Sequence, residues 1–263
     1  MLVPVSAAFA ADPTFATPTA PGGAEGPPKM TLAAELGGVW TSGNAVSYAV
    51  NGALKGQYRW RKNVAALQLG ANLGRGLADA DGDGRLSDTE REAPWAETAR
   101  RYAAEARYDR LVGKRDGVYL LAGAAVDPFA GYDTRTHAQT GWSHLFTDTK
   151  AWALRGELGA DVAREDYVDG VEPNRDWVYA ARAMVGGRYA FSDEVGVEAT
   201  VEVYESVVAW EDVRVLSNGA LVARLDGAFS LRLSHVLAFD NQPVEDYRET
   251  DQTTMVTLVA AIL

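Results

Sequence analysis

Cysteine is absent from the 263-residue chain, which removes disulfides, thiolate metal ligands and thiol nucleophiles together. Long hydrophobic runs are missing too. Nowhere do about 18 apolar residues follow one another, so the sequence offers no membrane-crossing helix. Basic residues are in deficit, with 25 Lys and Arg against 36 Asp and Glu and a formal net charge of −11. Binding a polyphosphate needs a basic face, so nucleic acid is not an expected partner. The mean hydropathy of −0.16 looks like that of a soluble protein. A β-barrel reaches the same value, because its lumen and loop residues offset its lipid face.

What the chain has instead is a period of two. In the stretch from Val46 to Trp60, the even positions are Val46, Tyr48, Val50, Gly52, Leu54, Gly56, Tyr58 and Trp60. The odd ones are Ser47, Ala49, Asn51, Ala53, Lys55, Gln57 and Arg59. One face is apolar with aromatics near both ends, and the other is polar, as in a strand between two solvents. Ordinary globular strands run to about 5–6 residues. A membrane-spanning strand needs about 9–11, tilted, with aromatic girdles where it leaves the lipid.

The pattern recurs. Strands are expected at Thr31–Trp40, Val46–Trp60, Val64–Arg75, Thr98–Leu111, Gly117–Asp127 and Tyr132–Phe146. Six more follow at Ala151–Glu165, Trp177–Phe191, Val195–Trp210, Val213–Leu225, Phe229–Asp240 and Thr250–Leu263, making twelve. Thr98–Leu111 is rich in helix formers. Yet its Arg101, Glu105, Arg107 and Asp109 share one face, and four charges would not be buried in a sandwich core. The faces of Val213–Leu225 are ambiguous. Even-numbered connections are short (Arg61–Asn63, Gly113–Asp116, Thr147–Lys150, Ser192–Glu194, Asp226–Ala228), while the long ones are odd-numbered (Gly76–Glu97, Asp166–Asp176, Asn241–Glu249). Short periplasmic turns, longer external loops and an even strand number mark bacterial outer-membrane barrels. The expected fold is therefore all-β, an antiparallel up-and-down transmembrane barrel over residues 31–263 with an insertion at 76–97. Ahead of it, residues 1–10 end in Ala8-Phe9-Ala10, which reads as the remnant of a signal peptide. Residues 11–30, dense in Pro, Gly and Thr, read as a flexible linker.

The opening Gly37-Gly38-Val39-Trp40-Thr41-Ser42-Gly43-Asn44 and the closing Phe239-Asp240-Asn241-Gln242-Pro243, with Thr250-Asp251 and an apolar last strand, resemble a known family. These are the YdiY-like outer-membrane proteins, labelled salt-induced and classed as a domain of unknown function, and the resemblance covers about Leu32 to Leu263. It implies a secreted outer-membrane barrel without an established activity, inserted by the barrel-assembly machinery among outer-membrane lipid and lipopolysaccharide. One departure is the final residue. Such barrels commonly end in an aromatic, and this chain ends in Ile262-Leu263.

The clearest chemical motif is DADGDGRLSDTE, residues 79–90, which follows the twelve-residue calcium loop of the EF-hand. Asp79, Asp81 and Asp83 stand at positions 1, 3 and 5, Gly84 at the sharp turn, and Arg85 at 7 with its carbonyl. Ser87 stands at 9, and Glu90 closes the shell at 12. Seven oxygens about 2.3–2.6 Å from the ion suit Ca²⁺ better than Mg²⁺. The alternative is a solvated acidic turn. The flanking helices are missing, and a lone loop predicts extracellular-type affinity of about 10⁻⁴–10⁻³ M.

A second set is the expected lumen: Lys55, Arg59, Arg101, Glu105, Arg107, Asp109, Arg135, Arg155, Glu157, Asp161, Arg182, Arg188, Glu198, Glu202 and Arg232. These side chains either line a passage for small ions or solutes or pair and fill the interior. Twelve strands lie between a filled eight-stranded barrel and an open sixteen-stranded one. No enzyme is expected. Of the three histidines, His144 and His235 follow Ser143 and Ser234 directly, so each pair points to opposite faces of a strand. His137 faces the lumen with Arg135 and Gln139, where a distant serine could in principle partner it, and it reads as a hydrogen-bonded wall residue. The sequence thus predicts a bacterial outer-membrane barrel carrying a Ca²⁺ loop, with a structural or surface-interaction role, or alternatively a narrow channel.

Overall fold

The computed structural model describes residues 29–42, 46–80, 86–168, 177–243 and 248–263, and the structural statements below concern these. The signal remnant, most of the linker, the Gly43-Asn44 turn and Asp81, Asp83 and Arg85 lie outside them.

Twelve strands form: β1 (Lys29–Thr41), β2 (Ser47–Trp60), β3 (Asn63–Gly76), β4 (Ala96–Leu111), β5 (Asp116–Asp127) and β6 (Tyr132–Asp148). They continue with β7 (Trp152–Tyr167), β8 (Trp177–Ala190), β9 (Val195–Ser206), β10 (Val213–Asp226), β11 (Phe229–Asp240) and β12 (Thr250–Ala261). Each pairs antiparallel with its sequence neighbours, and β12 pairs with β1 to close the barrel. Closure removes free sheet edges and satisfies the backbone within lipid.

The alternation reads through every strand. On β4, Arg101, Arg107, Asp109 and Leu111 are buried, while Tyr102, Ala104, Ala106 and Tyr108 are exposed. On the ambiguous β10, Arg214, Asn218, Ala220 and Val222 share the inward face, and Leu221 is exposed outside. The outward face carries two aromatic bands. Tyr58, Trp60, Tyr108, Phe146, Trp152, Tyr189, Phe191 and Phe229 lie at the short-turn end, and Trp40, Tyr48, Trp95, Trp177, Tyr179 and Phe239 at the long-loop end. Ten residues separate Tyr48 from Tyr58 on β2. At about 3.3 Å per residue and a tilt near 40°, that gives roughly 25 Å, the height of an apolar band facing lipid.

Strand ends fall within two residues of the sequence reading except at β9, and the insertion adds a helical turn. β9 stops at Ser206 rather than Trp210, because the Ser206 hydroxyl accepts from the backbone N–H of Ala209 (3.1 Å) and bends the chain into a turn. The insertion between β3 and β4 contains one helical turn, α1 (Asp88–Arg91), capped by Ser87.

Glycines on the inward face let side chains meet across an intervening strand. A Cβ at Gly123 on β5 would lie 2.8 Å from Nε2 of His137 on β6 and 2.9 Å from Cγ of Glu105 on β4. Gly37 on β1 plays the same part beneath Asn51 of β2, which donates to Sδ of Met255 on β12 (3.4 Å).

Candidate functional site

The inward register of β4 to β9 brings long charged side chains to the barrel's middle. Glu157 on β7 sits at the centre with its side chain fully buried. Its Oε1 accepts from Arg107 on β4 (2.7 Å), and its Oε2 from Arg107 (3.1 Å) and from Arg182 on β8 (2.8 Å). Arg155 lies 3.6 Å from Oε1. Arg107 also grips Asp109 at 2.8 Å, and Arg182 donates to Glu202 on β9 at 2.9 Å. Arg107, Arg155 and Arg182 thus balance Asp109, Glu157 and Glu202. Burying a lone charge is costly. Here every arginine has a carboxylate within 3.6 Å, and of the three guanidiniums only that of Arg155 has a buried atom, Nη1, without a hydrogen-bond partner among the described residues. Because β4 and β7 stand three strands apart in the barrel order, the Arg107–Glu157 contact is a chord across the lumen.

Two tyrosines complete the plug. Tyr119 on β5 accepts from Arg182 at its hydroxyl (2.8 Å) and lies under the Arg107 guanidinium, 4.2 Å from the ring centre. Its hydroxyl rests over the facing glycines Gly141 and Gly159, where a Cβ would come within 2.8 and 2.7 Å of it. Tyr204 donates to Glu202 (2.7 Å) and accepts from Gln139 (3.3 Å). A second cluster stands nearer the long loops. Glu165 accepts from Arg214 (2.6 Å) and from Tyr167 (2.7 Å) and pairs with Arg135 (3.1 Å), while Arg214 also reaches Asp240 (3.1 Å).

All fifteen charged residues expected in the lumen lie on the inward face, and most sit in ion pairs: Lys55 with Glu35 (2.7 Å), Arg101 with Asp127 (2.9 Å), Arg232 with Glu198 (3.0 Å) and Arg188 with Asp148 (2.9 Å). Arg188 is half-exposed at the short-turn end. The sequence reading missed Glu165, Arg214 and Tyr119. Glu165 is in phase with Arg155 and Glu157, so its face was readable. Arg214 was hidden by the mixed faces of β10, and Tyr119 by a strand apolar on both sides.

The opposite wall is different. β1 to β3 and β10 to β12 present short inward side chains such as Ala33, Ala49, Asn51, Asn72, Ala220 and Ser234 between the charged Glu35, Lys55, Arg214 and Arg232. Gln68 Oε1, Asn218 Oδ1 and Thr257 Oγ1 are buried there without a hydrogen-bond partner among the described residues, as are Gln139 Oε1 and Asp161 Oδ1 on β6 and β7.

None of the three histidines is arranged for nucleophilic catalysis. His137 lies 3.5 Å from Glu105 in the lumen. His144 faces outward between Trp142 and Phe146 with Nδ1 2.8 Å from Asp116, and His235 faces outward with Nδ1 2.9 Å from Thr254 Oγ1. Ser143 and Ser234 are buried on the inner face.

Of the calcium-loop residues, Asp79, Ser87 and Glu90 are described. Glu90 Oε1 accepts from Ala80 N–H (2.7 Å), drawing the two ends of the loop together, and Oε2 accepts from Ser87 N–H and its hydroxyl (both 2.8 Å). A carboxylate oxygen has two lone pairs. Bidentate metal binding by Glu90 therefore needs the Ser87 hydroxyl to turn away. Trp95, just past α1, packs against Tyr48 and Trp40 with ring centres 5.5 and 6.4 Å apart.

A family model described as "Protein of unknown function, DUF481" matches residues 34–262. The chain belongs to this family. A search of curated proteins found no match. Among solved structures, the chain is similar to the NanC porin, with 12% identity, a TM-score of 0.52, and coverage of 88% of this chain and 100% of that one. It is likewise similar to the COG4313 outer membrane channel from Pseudomonas putida F1, with 13% identity, a TM-score of 0.51, and coverage of 92% and 99%. At such identity the likeness concerns the fold, which is that of outer-membrane porins and channels.

Proposed function

We propose that the protein resides in a bacterial outer membrane, short turns inward and long loops outward, as a barrel sealed across its middle by the Glu157 ion-pair plug. Its role is structural or one of surface contact, without catalysis. In this reading lipid and lipopolysaccharide surround it, the assembly machinery inserts it, and the YdiY-like resemblance extends to it. The carrying observation is the fully buried Glu157 carboxylate held by Arg107 and Arg182 across the lumen. Conductance of the refolded barrel in planar bilayers tests it: silence is expected, and steady openings overturn it. The second reading, a narrow channel for ions or small solutes, draws on the unpartnered Gln68, Asn218 and Thr257 of the opposite wall.

The outward loop would hold Ca²⁺ through Asp79, Asp81, Asp83, the Arg85 carbonyl, Ser87 and Glu90, a hard oxygen set of the kind that ion takes. Support comes from the loop ends drawn together by Glu90 and Ala80. Terbium added to the folded protein is expected to luminesce on excitation of Trp95, and to lose that emission in Asp79→Asn with Glu90→Gln. A dark native protein rules the metal out.

A further inference from the structure

Charge is unevenly divided around the short-turn rim. The whole chain carries a net −11. Yet the β2–β3, β4–β5 and β6–β7 turns hold Arg61, Lys62, Lys114, Arg115 and Lys150, all exposed, and no acid. Farther round, the β8–β9 and β10–β11 turns hold Asp193, Glu194 and Asp226 against Arg224. The carboxylates at this end of β4, β5 and β6 are already engaged: Asp109 by Arg107 (2.8 Å), Asp116 by His144 (2.8 Å) and Asp148 by Arg188 (2.9 Å). The five basic turn residues thus form an arc without ion pairs among the described residues.

One further cation leaves the rim and joins the outer wall. Arg110, near the end of β4, is exposed and in phase with the outward Tyr108. Its guanidinium and the Tyr108 hydroxyl both donate to Oδ1 of the buried Asn63, at 2.7 and 2.8 Å, which fixes its height on the wall. Beside it, Tyr58, Trp60 and Tyr108 form a continuous aromatic strip, with successive ring centres 5.3 and 6.2 Å apart. Val112, the next outward residue, is apolar and 57% exposed between Arg110 and Lys114. The Leu111 N–H donates to the Lys62 carbonyl (2.8 Å), bringing the β2–β3 turn alongside this segment. Arg115 donates to the Phe146 carbonyl (3.2 Å), tying the β4–β5 turn to β6.

Aromatic girdles mark the depth of lipid headgroups, so a cation held at that depth meets phosphate rather than hydrocarbon. The planar fork of an arginine matches two phosphate oxygens at once, and clustered Lys and Arg beside a membrane draw anionic lipid. A polyanion in water would be met by side chains directed off the rim. Arg110 and Val112 instead stand on the lipid-facing wall, continuous with the aromatic strip, and that favours a lipid as the occupant.

We propose that the arc of the β2–β3, β4–β5 and β6–β7 turns is a binding site for an anionic phospholipid of the adjoining leaflet. Its phosphate is held by Arg110 with Lys62 and Lys114, and its acyl chains run along the strip of Tyr58, Trp60 and Tyr108. The acidic arc of the β8–β9 and β10–β11 turns has no such preference. The site rests on the membrane reading above, and on neither the calcium loop nor the plug.

The native chain has no cysteine, so an introduced thiol carries a fluorophore cleanly. Val118→Cys, opposite Arg110, reports on the basic arc, and Leu231→Cys, equally far into β11, reports on the acidic one. The labelled, heat-modifiable (hence folded) protein is placed in phosphatidylcholine vesicles with phosphatidylglycerol as a minor component. A nitroxide on the phosphatidylglycerol acyl chain should quench the Val118 label about twice as strongly as the Leu231 label. The same nitroxide on phosphatidylcholine should quench both alike. Lys62→Gln with Lys114→Gln, both in exposed turns, should remove most of the excess, and Arg110→Gln added to them the remainder. Equal quenching of the two labels by nitroxide phosphatidylglycerol overturns the site. An excess abolished by inorganic phosphate, but not by chloride at matched ionic strength, reveals a site for the free anion and overturns the lipid assignment. Insensitivity of both labels to either nitroxide lipid overturns the membrane reading itself, and the site with it.

Discussion

Glu157 concentrates the energetics of the lumen in one carboxylate. Replacing it with Gln leaves Arg107, Arg155 and Arg182 against Asp109 and Glu202 alone. Breaking a buried pair from one side costs about 3–5 kcal/mol, so Glu157→Gln should lower the urea midpoint of the reconstituted barrel strongly. Arg188→Ala, which breaks a half-exposed pair with Asp148, should cost about 0–1 kcal/mol. Tyr119 offers a finer test, since Gly141 and Gly159 leave room for its hydroxyl and little more. Gly159→Ala should destabilise by about 1–3 kcal/mol through overpacking, read in the same urea titration. Residue polarity made the plug's charged members legible in the sequence, because period-two phase assigns a face, while Tyr119 was hidden in a strand apolar on both sides. Their pairing was not legible, because which arginine meets Glu157 depends on the curvature that brings β4 opposite β7.

At the scale of elements, the sequence contained the strands, and the structure set where they stop pairing. Alternation with Gly and Asn turns identified all twelve, since a lipid face and a polar face leave each strand one workable register. The end of β9 escaped because Ser206 captures its own downstream N–H groups, a local bond that periodicity does not register. The register of the β1–β12 seam, Ala33 opposite Ala261 to Gly37 opposite Thr257, escaped for a different reason: it joins the two ends of the chain, and each strand alone alternates normally. Gly37→Ala is the sharp test of this element. Its methyl would press on Asn51 and Thr257, so the unheated band of the folded barrel on a detergent gel should weaken. The α1 turn, capped by the reciprocal Ser87 and Glu90 bonds, is expected to loosen in Ser87→Ala by about 1 kcal/mol. Faster amide exchange over residues 88–92, with the strands unaffected, would register it.

For the whole molecule, closure and charge asymmetry matter most. The densest buried charge, around Glu157, is held by β4 to β9, while β1 to β3 and β10 to β12 mix short amides and hydroxyls with the Lys55–Glu35 pair, Arg214 and Arg232. If Glu157→Gln folds and opens a path, the surplus of arginine predicts preference for anions, read as a reversal potential displaced toward that of chloride in a salt gradient. A native protein already conducting with cation preference would contradict the sealed plug. The twelve-stranded architecture was the most legible level of all, since loop-length parity is set by which end must cross the membrane during assembly.

The closing seam, in which β1 and β12 pair from Ala33 opposite Ala261 to Gly37 opposite Thr257, also bears on how the barrel is made. Eleven of the twelve strand pairings join neighbours in the chain and can form as hairpins, while β1 and β12 meet only after everything between them is in place. Contacts between distant parts of a chain form slowly, because the entropy of closing the loop is lost before they contribute. With the register ending at Gly37, the last step of folding rests on few hydrogen bonds. Zipping from the short-turn end, beside the chain termini, would then be both the latest event of assembly and the first to reverse under denaturant.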